Sequence, residues 1–64
     1  MIMNELIATV IKDTATEWER NTDSAPQRNI LFVLKVMDNL ELAGIDPKQK
    51  PIEVQNALDA YFAK

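Results

Sequence analysis

At 64 residues and 7.3 kDa the chain has room for one domain, and chains this short bury only about 60% of the surface that their unfolded state exposes. Neither Cys nor His occurs, which removes disulfides, Cys/His zinc centres, thiolate nucleophiles and imidazole acid–base chemistry together. With a formal net charge of −3 and a pI near 4.7, there is no local excess of Lys and Arg to hold phosphate backbones or anionic lipid.

A hydrophobic fraction of 47% beside 27% charged residues belongs to a folding globular chain rather than a disordered one. Below about 70–80 residues a single core seldom contributes more than about 3–5 kcal/mol, and small domains add disulfides, a metal or association. With the first two nearly excluded, self-association or a bound partner remains. The opening MIMNELIATVIKD has no basic stretch, long apolar run or small-residue cleavage site, so no secretory signal is expected. No apolar run approaches the roughly 18 residues of a membrane span. These features predict a cytoplasmic protein with no membrane partner.

One Gly and three Pro leave few places where the chain can turn, and these cluster at two points that divide it into three helices. In the first, over residues 2–20, Met3, Leu6, Ile7, Val10, Ile11, Thr14 and Trp18 share one half of the helical wheel. Glu17 interrupts that arc, where it must snorkel, pair with a cation, or lie where two subunits or a ligand meet. The run Asn21-Thr22-Asp23-Ser24 bonds to nearby backbone and ends the helix.

Ser24-Ala25-Pro26-Gln27 has the form of a capping box and predicts a second helix over 25–43, with Pro26 in its first turn. Its end is the best-specified local feature of the chain. Gly44 suits the left-handed position just past a helix, Ile45 can pack back on Leu40 in a Schellman motif, and Asp46-Pro47 blocks continuation. Within this helix Ile30, Phe32, Val33, Leu34, Val36, Met37, Leu40 and Ala43 already make a full core-facing side, while Leu31 and Leu42 fall behind it beside Lys35 and Asp38. Residues 46–50 are expected as a loop. Pro51 then starts a third helix over 51–63, with Val54, Ala57, Leu58, Tyr61 and Phe62 on one face.

Candidate chemistry is sparse. Asp13 and Glu17, four apart on one helix, have the spacing to share a proton or touch a hard cation. Magnesium or calcium needs more oxygen donors, and no Asp-rich loop supplies them, so both acids are expected as solvated or salt-bridged side chains, with Lys12 and Arg20 close enough to pair with them. Asp38 and Glu41 read the same way. Ser24 has neither a His nor an adjacent Lys to act as base, and capping accounts for it. No catalytic residue, cofactor or metal is expected.

Helices two and three have roughly the order of a helix-turn-helix, with Gln55 and Asn56 able to read bases and Lys48 and Lys50 to hold phosphate. Glu53 and Asp59 stand where Lys or Arg should be, and the turn is too long. Ten acids against seven bases are too balanced for mimicry of nucleic acid. What remains is the apolar excess of helix two.

The expectation is therefore an all-α protein, a small three-helix bundle with a central hydrophobic helix, completed by homodimerisation through helix two about a two-fold axis. Leu31, Leu42, Lys35, Asp38, Glu17 and Trp18 are the expected interface with itself or with another protein. The expected function is non-enzymatic regulation or inhibition by protein–protein interaction, in a bacterial or phage setting. The alternative is a DNA-binding transcription regulator with a degenerate helix-turn-helix.

Overall fold

The computed structural model describes residues 3–63, with the side chain of Met3 left aside. The expected apolar contact of Met3, the first helix's start at Ile2 and the chain's last residue Lys64 lie outside the described residues. Three α-helices and no strand are found among those residues: α1 (Met3–Thr22), α2 (Ile30–Leu42) and α3 (Pro51–Phe62). The fold is all-α, as periodicity predicts.

Helix α1 buries Ile7, Ile11, Thr14 and Ala15, a spacing that returns to the same side about every turn, with Leu6, Val10 and Trp18 half-buried at the edges. Glu5 in its first turn and Arg20 in its last complement the helix dipole. The helix runs two residues further than expected. Thr22 donates its hydroxyl to the Trp18 carbonyl at 2.8 Å, and the Asp23 amide still bonds to the Glu19 carbonyl at 2.8 Å. Asp23, at φ 59°, then turns the chain away.

The expected start of the second helix at residue 25 is incorrect. Ser24 to Gln27 are not helical, and the N-cap is Asn29, whose side chain accepts from the Phe32 amide at 3.0 Å in an extended backbone conformation. Asn is as good a cap as Ser, so packing decides between them. From Phe32 onward every turn contributes a core residue, Phe32, Val36 and then Leu40. Pro26 is buried from the loop, and Arg28 reaches Asp59 of α3 at 2.6 Å.

The C-terminus of α2 is the expected Schellman motif: the Ile45 amide bonds to the Leu40 carbonyl at 2.8 Å and the Gly44 amide to the Glu41 carbonyl at 3.0 Å. Gly44 stands at φ +85°, and nothing lies within 4 Å of where a Cβ would project, so glycine is needed here for backbone freedom and not for space. The following loop holds one tight turn, in which the Asp46 carboxylate accepts from the Lys48 amide at 2.9 Å and its carbonyl from the Gln49 amide at 3.0 Å. Pro51 then begins α3, which has no side-chain cap.

The middle helix of the chain is not the central one in space. α1 packs along both α2 and α3, while no Cα of α2 comes within 8 Å of a Cα of α3. α2 and α3 are joined instead through rings. Phe32, fully buried, meets Trp18 edge-on at 5.5 Å and Phe62 edge-on at 5.8 Å, and stacks on Tyr61 at 6.5 Å. Arg28 closes this end, with its guanidinium 5.3 Å from the Phe62 ring centre.

Candidate interaction surface

Because α2 is covered by α1 on one side only, its buried arc is narrow: Phe32, Val36 and Leu40 are fully enclosed, with Val33 and Met37 half-buried beside them. Ile30, Leu34 and Ala43, expected on the core face, are exposed. A wheel assigns residues to one side of a helix, but the width of the covered arc depends on how closely the neighbours approach, and α3 stands away here.

Leu31 and Leu42 project to solvent at 67% and 86% exposure, the orientation expected of them. At about 100° per residue, Leu31, Lys35, Asp38 and Leu42 form one line along the outer side of α2, with a leucine at each end and a cation and an anion between. Leu34 and Ile30 widen the patch at its N-terminal end. Ile52, at the start of α3, is the one large exposed apolar side chain away from α2 among the described residues.

Glu17 resolves its awkward position by pairing across the α1–α2 junction: its carboxylate is 3.6 Å from the Lys35 ammonium, both about half exposed. Of the readings expected for Glu17, pairing with a cation is the one found, with Lys35 of α2 as the partner rather than Lys12 or Arg20 of its own helix. Trp18, expected at the interface, is half-buried with its ring on Phe32, so it serves the core edge. Next to Glu17 a shallow groove of about 340 Å³ runs between α1 and α2, lined by Val10, Asp13, Asn39, Leu42 and Ala43. Below it, the Thr14 hydroxyl donates to the Val10 carbonyl at 2.7 Å and accepts from the Asn39 amide at 2.8 Å. No composition signal marks that bond, which exists only because the two helices bring residues 25 apart together.

A second groove, of about 490 Å³, lies between α1 and α3 over Ala8, Ile11, Ala57 and Ala60, with Lys12 and Glu53 on its rim. Of the four residues expected to contact DNA, two are engaged within the fold: Lys50 lies 3.9 Å from Glu53, and the Gln55 amide donates to Asp59 at 3.0 Å. Among the described residues, no three Asp or Glu side chains converge as metal ligands, and no helix is long and apolar enough to cross a membrane. The chain matches no protein-family model, and neither a curated protein nor a solved structure is significantly similar to it.

Proposed function

We propose that this chain is a non-enzymatic interaction protein that acts as a homodimer, occupying a surface of another protein to regulate or inhibit it. One observation carries the reading. α2 leaves Ile30, Leu31, Leu34 and Leu42 outside the core of a chain that has no disulfide with which to compensate a small interior. Fully burying a leucine is worth about 1.5–3 kcal/mol, so covering two per chain is comparable with the stability of a whole domain of this size. A bacterial or phage regulator fits such a chain. The DNA-binding alternative has less support, because Lys50 and Gln55 each face an acidic side chain of the same chain.

The test is the oligomeric state. Leu31→Asp and, separately, Leu42→Asp are expected to convert a dimer to a monomer in sedimentation equilibrium, with unchanged helical content because neither side chain belongs to the core. A wild-type chain that is monomeric at high micromolar concentration would refute the homodimer.

A further inference from the structure

Self-association says that two copies meet; the outer side of α2 carries enough pattern to say how. Leu31, Lys35, Asp38 and Leu42 follow one another at intervals of four, three and four, the spacing of a coiled-coil seam. All four are exposed, and among the described residues only the Glu17 carboxylate is recorded in a polar contact with one of them, at Lys35.

If two such helices run parallel in register, Lys35 faces Lys35 and Asp38 faces Asp38, which sets like charges together at the centre of the contact. If they run antiparallel about a two-fold axis passing between residues 36 and 37, each Lys35 faces Asp38 of the second copy and each Leu31 faces Leu42 of the second copy. The stripe is then its own complement in both charge and shape. Such closure is what an isologous interface requires.

We infer that the Leu31–Lys35–Asp38–Leu42 stripe pairs antiparallel with the same stripe of a second copy, placing two Lys35–Asp38 contacts at the centre and a Leu31–Leu42 contact at each end. The Lys35 ammonium has three donors, so its contact with Glu17 at 3.6 Å persists while it meets Asp38 of the second copy. Leu34, half exposed beside the stripe, thickens the apolar ends. No comparable line exists elsewhere: Ile52 stands alone on α3, and α1 has no large exposed apolar side chain among the described residues.

This rests on the homodimer proposed above, and the test separates the two. Because the chain has no Cys, single Leu31→Cys and Leu42→Cys variants carry one thiol each. They are incubated alone and mixed, one of them isotopically labelled, in a glutathione redox buffer at the concentration where sedimentation shows the wild type to dimerise. The expected result is a mixed disulfide dimer in the combined sample and none in either single variant. In the antiparallel pair, identical positions lie about 16 Å apart along the axis, eleven residues at 1.5 Å each, well beyond disulfide reach. Crosslinking of each variant with itself would overturn the antiparallel arrangement and keep the homodimer. A dimer that crosslinks in no combination would overturn the α2 contact alone, and a monomer would overturn both. As a second measurement, Asp38→Lys sets Lys against Lys35 of the second copy and is expected to weaken dimerisation roughly tenfold, about 1.4 kcal/mol; unaltered dimerisation would overturn the pairing of charges.

Discussion

Thr14 is the one polar side chain in the described core, at 1% exposure, and it survives there because its hydroxyl both donates and accepts. Three other threonines of α1, Thr9, Thr16 and Thr22, return their hydroxyls to the carbonyl four residues back, so each satisfies itself locally and faces solvent. Thr14 makes the same local bond but also receives the Asn39 amide, which fixes the height of α2 against α1. Replacing Thr14 by Val keeps the shape and removes both bonds, leaving the half-buried Asn39 amide to find water. The expected cost is about 1 kcal/mol, read as a fall in Tm of about 4–8 °C for a chain of this size. A Thr14→Val variant as stable as the wild type would show that the bond contributes register and not stability.

At the scale of elements, α2 depends most on its neighbours. It has no acidic residue in its first turn and no basic residue in its last, and at 13 residues it is too short to persist alone. Its ends are held by Asn29 on one side and the Gly44–Ile45 turn on the other, and its middle by Phe32, Val36 and Leu40. Two capping candidates precede it, and they separate cleanly by mutation. Asn29→Ala removes an acceptor used by the Phe32 amide and is expected to cost about 1 kcal/mol. Ser24→Ala touches only an exposed 3.3 Å contact between the Ser24 and Thr22 hydroxyls, and urea denaturation should place it within about 0.5 kcal/mol of the wild type. The reverse order would restore the earlier start for α2.

The same element shows what periodicity can and cannot deliver. Leu31 and Leu42 were separable from the core by their angle alone, because no plausible neighbour reaches the far side of a helix that already buries the opposite one. Ile30 and Leu34 sit at the shoulder of the apolar arc, where burial depends on whether α3 closes against α2. Their positions follow from helix placement and are not encoded in spacing. Lys35 and Glu17 are similar: each was identifiable as belonging near the candidate surface, but their contact at 3.6 Å joins two helices and has no local signature.

For the whole molecule, α1 serves as the keel against which two shorter helices lie, and the aromatic cluster around Phe32 ties α2 to α3. Arg28 reinforces that tie through Asp59, a half-exposed pair worth less than about 1 kcal/mol in water. In the homodimer proposed above, covering the exposed outer side of α2 would add stability to each chain. Thermal unfolding of the proposed homodimer should therefore shift with protein concentration, Tm rising as the chain is concentrated, whereas the Leu42→Asp variant should melt at one temperature throughout. A wild-type Tm that ignores concentration across its range of association would remove the link between dimerisation and folding.

Length, composition and the two turn regions by themselves determined an all-α chain of three helices, lacking the groups for thiol, imidazole or Cys/His zinc chemistry, with its second helix stopping just before Gly44 and bearing leucines on its far side. These follow from local rules: side-chain period, backbone freedom at glycine and the absence of residue types. Only the tertiary structure decided that α1 lies in the middle, that α2 begins at Ile30, that Glu17 meets Lys35, and that Ile30 and Leu34 remain outside. Each of those depends on the distance between helices, a quantity set by the packing of Phe32 and its neighbours together and by no single segment of the chain.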